Sequence, residues 1–310
     1  MKRWNYAFEV PAQKKVRMIV HTDAKNEADD QFAIAHHLMT DKFDVKGLIA
    51  GHFNIKPQGF GDGHTAQASL DEIHKVLGLM GLEGEVDVYK GSEYPLEDEN
   101  TPRPSAGADF IIEEAMKDDP RPLYIALQGC VTDLASAILM KPEICSRMTA
   151  IWIGGGMYPE GGFEFNCMQD IAAANVIMKS SMELWQIPIM IYKQMSVSLA
   201  ELQAKVYPCG ELGKYLCEQM YEYNMKNADD AHWPHGEIWG LGDSPTIGVL
   251  LFEGEKTDVF EMQPAPTISY EDMTYSYEDS ANRRKVRVYN DVNARLTLED
   301  FFAKMKINFG

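Results

Sequence analysis

No stretch constrains this chain more than residues 16–38, VRMIVHTDAKNEADDQFAIAHHL. An apolar run, Val16 to Val20, ends in a polar loop carrying Asp23, Glu27, Asp29 and Asp30. An amphipathic run follows, with Phe32, Ile34, Ala35, Leu38 and Met39 on one side. The order reads as a buried strand, a carboxylate-rich turn and a helix. In an open parallel sheet, ligands bind outside the carboxyl ends of the strands. Like charges packed this closely need a cation or a shared proton to offset their repulsion. A hard divalent cation suits them, because it takes several carboxylate oxygens. A plainer role for Asp29 and Asp30 is to favour the helix N-terminus through its dipole. Four acids within eight residues, directly after a buried strand, favour a functional site instead.

The rest of the chain narrows the fold. Its 310 residues, 45% hydrophobic and 25% charged, are ordinary globular composition. Nothing reads as a linker, repeat or low-complexity tract, so a single domain over residues 1–310 is expected, with a less regular region at about 207–290. Strands are expected at Phe43–Ala50, Val86–Tyr89, Leu123–Leu127, Ala150–Ile153 and Pro188–Tyr192. They alternate with helical spacing at 65–80, 108–116, 134–140 and 171–179. That alternation predicts an α/β fold with an open, mainly parallel, Rossmann-like sheet and helices on both faces. Residues 198–226 read helical, Lys285–Tyr289 reads as a strand, and Leu298–Ile307 as a closing helix. GFGDGH at 59–64 does not join a strand directly to a helix, so it is no dinucleotide fingerprint.

Several function classes drop out. A formal net charge of −18 repels phosphate backbones, so nucleic acid is not an expected partner. The five cysteines lack C-x-x-C spacing, which suggests neither a zinc site nor a disulfide framework. The N-terminal residues lack an apolar signal-peptide core, and no run approaches membrane-spanning length. No membrane partner is expected, and a cytoplasmic location follows by elimination.

Five motifs, in order, resemble the inosine-uridine nucleoside hydrolase family over roughly residues 16–300. HTDAKNEADD at 21–30 resembles the family's D-x-D-P-G-x-D-D. Leu127-Gln128-Gly129 with Val131-Thr132-Asp133-Leu134-Ala135 is similar to G-x-L-T-N-L-A, and WIGGGM at 152–157 to I-M-G-G-A. Glu164-Phe165-Asn166 with Asp170 matches E-F-N…D, and Asp243-Ser244-Pro245 stands where the family has H-D-P. The resemblance implies hydrolysis of the N-glycosidic bond of ribonucleosides around a bound Ca²⁺. It implies Asp23, Asp30, Asp243 and the backbone carbonyl of Gln128 as metal ligands, and Asp29 as general base. Asn54, Glu164 and Asn166 would contact the sugar. A homodimer or homotetramer is implied by the resemblance alone.

The chain also departs from that pattern. Two additional residues separate Asp23 from Asp29, leaving Glu27 as a further metal ligand or a substrate contact. The sugar-binding asparagine upstream of E-F-N has no counterpart, and Tyr158 or Glu160 is the candidate for its space. Gly242 replaces the histidine that helps protonate the leaving base. His235 is the candidate substitute, with His232 and Trp239 as alternatives. Plainer roles are expected for Asp170 as a helix N-cap, Asp133 at its helix start, and the aromatic residues Tyr221, Tyr223, Trp233 and Trp239 in packing. The readings that compete with a hydrolase of ordinary ribonucleosides are a ribosyl-binding protein and a hydrolase of another or modified glycoside.

Overall fold

The computed structural model describes residues 4–56, 59–60, 63–229, 236–254, 258–278 and 284–310. β1 (Val16–Thr22), α1 (Asp30–Met39) and β2 (Phe43–Ala50) open the fold. A small hairpin, β3 (Ile55–Lys56) and β4 (Gly59–Phe60), precedes α2 (Thr65–Leu79), β5 (Val88–Lys90) and α3 (Ala106–Met116). Then come β6 (Leu123–Leu127), α4 (Thr132–Met140), β7 (Thr149–Ile153), α5 (Phe165–Gln169) and α6 (Ile171–Lys179). β8 (Glu183–Ile187) leads into a helical turn, α7 (Ile189–Tyr192), and on to β9 (Ser196–Ser198), α8 (Leu199–Lys205) and α9 (Gly210–Lys226). The remainder is β10 (Ile238–Gly240), α10 (Pro245–Leu251), β11 (Phe260–Pro264), β12 (Thr267–Ile268), β13 (Tyr275–Ser276), β14 (Lys285–Tyr289) and α11 (Ala294–Phe309).

Eight of these strands form one sheet, in the order β11-β14-β8-β7-β6-β1-β2-β5. Every neighbouring pair is parallel except β11 with β14. The chain runs outward from β1 through β2 to β5, then crosses back to β6 on the other side of β1. The β1/β6 boundary is therefore the topological switch, and its carboxyl end is where an open α/β sheet leaves a crevice. Successive β1 side chains alternate between two cores. Met18 and Val20 pack with Phe32, Ile34, Ile247 and Phe301 on one face. Ile19 packs with Ile111, Leu134 and Val176 on the other. Helices thus cover both faces, and the sheet class expected from the sequence is the one found. No helix among the described residues is long and apolar enough to cross a membrane.

One strand lies elsewhere than expected. The sequence reading placed it at Pro188–Tyr192, whereas β8 ends at Ile187 and residues 189–192 form a helical turn. Ile187 is the last β8 residue paired with β7, opposite Ile153. Pro188 has no N–H to extend the ladder. Its backbone carbonyl instead accepts from Ile191 and Tyr192 N–H, starting the turn. The result is that Tyr192 lies beyond the sheet's carboxyl edge instead of inside the sheet.

The last turn of α1 buries two imidazoles. His36 Nε2 lies 2.8 Å from Asp300 Oδ2, and His37 Nδ1 lies 2.9 Å from the Ala33 carbonyl oxygen. Burial pushes the pKa of His36 down to about 4 and that of His37 down to about 3. His52, behind the sheet edge, is pushed down to about 4 for the same reason. These groups stay neutral in the folded chain but take up protons near pH 6.5 once unfolded. At these three sites the unfolded state therefore binds more protons between about pH 6.5 and pH 4, and the stability they contribute falls as pH falls through that window. Between pH 7 and pH 5 the urea-unfolding midpoint of His37→Gln should move toward higher stability relative to that of the parent, because the variant loses one group that protonates only on unfolding. Equal pH dependence in the variant and the parent would contradict the assignment.

Candidate active site

The crevice is built from the ends of β1 and β6. Gln128 N–H donates to the His21 carbonyl oxygen at 2.8 Å, which sets the residue after β6 beside the end of β1. Asp23 follows Thr22 directly, and Thr22 Oγ1 donates to Asp30 Oδ1. The loop between them is braced from outside. Gln31 Nε2 donates to the Ala24 carbonyl oxygen, and Gln219 Nε2, reaching over from α9, donates to that of Ala28, both at 2.7 Å. Glu72 on α2 accepts from Gln31 and from Tyr215 of α9. These braces accommodate the two additional loop residues. Sequence reading missed them, since a buried glutamine carries no positional signature until its partner is known.

The loop closes over a small cavity of about 60 Å³. Asp23, Glu27, Asp29, Asp30 and Asp243 all line it, together with Gln128 and Asn166. Carboxylate oxygens of Asp29, Asp30 and Asp243 lie within 4.8 Å of one another. Burial first, and then repulsion from the neighbouring carboxylates, pushes the pKa values of Asp23, Asp29 and Asp243 well up. The same two causes raise Glu27 to about 7. Burial likewise raises Asp30, to about 6, against the lowering effect of hydrogen bonds from Thr22 and within the cluster.

The donor set suits a hard cation. Among the described residues, Asp23 Oδ2, Asp243 Oδ2 and Gln128 Oε1 are buried with no hydrogen-bond partner. A buried carboxylate oxygen left unpaired costs free energy that a divalent ion offsets. The polar side chains lining the cavity are carboxylates, amides and a phenol, with no thiol or imidazole, which matches calcium- or magnesium-like chemistry better than zinc. Gly129 makes room for the arrangement. A Cβ there would lie 2.6 Å from Asp23 Oδ1 and 3.1 Å from Asp23 Cβ.

The other expected residues fall into three groups. Asn166 lines the cavity, and its Nδ2 donates to the Ile153 carbonyl oxygen at 2.9 Å and approaches that of Gln128 at 3.5 Å. Glu164 is fully buried and caps α5, accepting from Asn166 and Cys167 N–H. Asn54 does not line the cavity; it donates to the Glu93 carbonyl oxygen and accepts from Gly63 N–H. His235, His232 and Trp233 lie outside the described residues. Trp239 is buried on β10, edge-on to Tyr223 with ring centroids 5.7 Å apart, so it packs the core. Tyr158 donates to Gln186 Oε1 rather than lining the cavity. Asp170 caps α6 through Ala173 N–H at 2.8 Å, as expected.

Two variants probe the cluster. Adding a divalent cation to chelator-treated protein should raise its melting temperature, and Asp243→Asn should abolish most of that rise. Gly129→Ala should weaken the cation response by displacing Asp23. An unchanged shift in both variants would remove the cation from this cavity.

Comparison with known proteins gives the same direction. A model of the family described as inosine-uridine preferring nucleoside hydrolase matches residues 18–299. A probable uridine nucleosidase 2 of Arabidopsis thaliana is 23% identical over 243 residues, covering 67% of this chain and 71% of that protein. The inosine-uridine preferring nucleoside hydrolase of Crithidia fasciculata is 29% identical over 119 residues, covering 37% of this chain and 36% of its own. The solved purine-preferring ribonucleoside hydrolase from Gardnerella vaginalis superposes with a TM-score of 0.73 at 18% identity, over 93% of this chain and 98% of that one. A match across nearly the whole length makes this chain a divergent member of the inosine-uridine preferring nucleoside hydrolase family, and so an N-glycosyl hydrolase.

Proposed function

We propose that the chain hydrolyses the N-glycosidic bond of ribonucleosides, releasing ribose and base, with Ca²⁺ as its metal. The observation that carries this reading is the convergence of five carboxyl groups and Gln128 on one cavity at the switch point of the sheet. Asp23, Asp30 and Asp243 would hold the ion, joined by the backbone carbonyl oxygen of Gln128. Glu27 lines the same cavity and is a further candidate ligand. When bound, the ion supplies Lewis-acid activation of a water molecule and keeps the surrounding carboxylates ionised near neutral pH.

Asp29 has the placement of a general base. It lies among the proposed ligands, and its carboxylate accepts from the backbone N–H of Gly242, which fixes its orientation. As water attacks the anomeric carbon, Asp29 takes its proton. The electron pair of the breaking C–N bond leaves with the base, which then needs a proton of its own. Positive charge builds on the sugar in an oxocarbenium-like transition state, and the carboxylates nearby stabilise it. Asn166 supports the sugar side, and Glu164 fixes the loop beneath it. Asn54 is assigned to the sugar side from the motif alone. His235 is proposed as the leaving-group acid because Gly242 stands where the family has a histidine.

Asp29→Asn should lower kcat about 10²- to 10⁴-fold, as loss of a positioned base does, while the melting-temperature rise with Ca²⁺ persists. Near-parental turnover of inosine and uridine by this variant would sink the role. His235→Ala should slow release of hypoxanthine or uracil but spare p-nitrophenyl riboside, whose leaving group needs no proton. Equal losses on both substrate types would remove His235 from the chemistry. A parent enzyme that binds nucleosides tightly but releases no sugar would favour the ribosyl-binding reading.

A further inference from the structure

Glu164 is one of the residues that the motifs assign to the sugar, yet its carboxylate has no acceptor position left to offer. Oε2 accepts from Gly155 N–H at 2.7 Å and from Cys167 N–H at 2.8 Å. Oε1 accepts from Asn166 N–H at 3.1 Å and from the Tyr192 hydroxyl at 2.8 Å. An ionised carboxylate has about four acceptor positions, and all four are used. A sugar hydroxyl could bind Glu164 only by displacing a bond that caps α5 or anchors Tyr192.

Tyr192 is placed to act in its stead. It lines the acidic cavity with Asp29, Asn166 and Gly242. Its ring occupies the space beside Gly242, where a Cβ would lie 3.1 Å from Tyr192 Cδ2 and 3.5 Å from Asp29 Oδ2. The absence of a side chain at 242 is therefore what admits the ring. The ring is half-buried, whereas Glu164 behind it is fully buried.

We propose that Tyr192 Oη, held in place by Glu164, is the atom that contacts a ribose hydroxyl in this enzyme, with Glu164 as its positioning residue. The inference rests on the hydrolase reading above. It also fixes the chemistry of the contact. The phenol spends its single proton on Glu164, so toward the cavity it can only accept. Its substrate partner is then a donor, a sugar hydroxyl.

The test is a cycle of Tyr192→Phe against nucleosides lacking the 2′-, 3′- or 5′-hydroxyl, read as kcat/KM with Ca²⁺ present. Tyr192→Phe should lose about tenfold on the parent nucleoside, the scale of one hydrogen bond left unmade. One deoxy substrate should show a similar loss with the parent enzyme, and for that substrate the two losses should not multiply. An unaffected variant overturns the proposal, as do losses that multiply for all three deoxy substrates. The second pattern is also what a merely disturbed loop would give. In a Glu164→Gln background, which keeps an acceptor for the phenol, the coupling of Tyr192→Phe to the same hydroxyl should persist; a hydroxyl that couples to Glu164→Gln and not to Tyr192→Phe assigns the contact to Glu164 and overturns the proposal. A parent enzyme inert toward every nucleoside would sink the hydrolase reading instead. The same cycle, read as calorimetric affinity for ribose and its deoxy analogues, then decides the role of Tyr192 separately.

Discussion

Five carboxyl groups line one small cavity, and much of the surrounding architecture answers that constraint. Desolvation and mutual repulsion both favour driving the acids apart or protonating them. They are held together by backbone that cannot retreat. Asp23 is fixed by its place after a fully buried strand. Asp29 and Asp30 sit at the start of a helix whose residues are all buried. Asp243 is locked by the turn into α10, where Ile247 N–H and Gly248 N–H both bond the Ser244 carbonyl oxygen. The glutamines that brace the loop from α1 and α9 add rigidity without adding charge.

Sequence reading reached the sheet class and the acidic loop for a common reason. Both are local patterns: a run of apolar residues, then a turn, then helical spacing. Phe43–Ala50 is the observed β2 to the residue. Where the answer depended on a distant partner, the reading was incomplete. Pro188–Tyr192 is as apolar as a strand, and only the end of the β7 ladder opposite Ile187 shows why it turns instead. Asp133 was expected merely to favour its helix. It also accepts from Ser92 N–H and Ser105 Oγ and lies 2.9 Å from His21 Nε2, tying β1, the loop after β5 and α4 together.

The candidate site divides along the same line. Acids in motifs could be named from the sequence, because their neighbours in the chain identify them. Gln31, Glu72 and Gln219 could not, because what they do is hold the backbone of another segment. Tyr192 fell between the two. It was within sight of the sequence analysis but was assigned to the wrong element, and so its hydroxyl had no visible destination. Gly242 read as a loss, a missing histidine, whereas in the structure it is also the vacancy that an aromatic ring fills.

The sheet order has a consequence for how this protein comes into being. Four of the five acids lie in the first thirty residues, while the fifth, Asp243, lies beyond most of the sheet. β14, from near the end of the chain, then pairs alongside β8 and finishes the same sheet. A nascent chain therefore carries a concentrated negative charge long before it makes the residue that completes the cavity. Contacts of such sequence separation form late, since chain entropy must be surrendered first. An ion gripped from both ends would close the long loop that runs from Asp30 to Asp243, acting as a clasp on the finished fold as well as a participant in its chemistry.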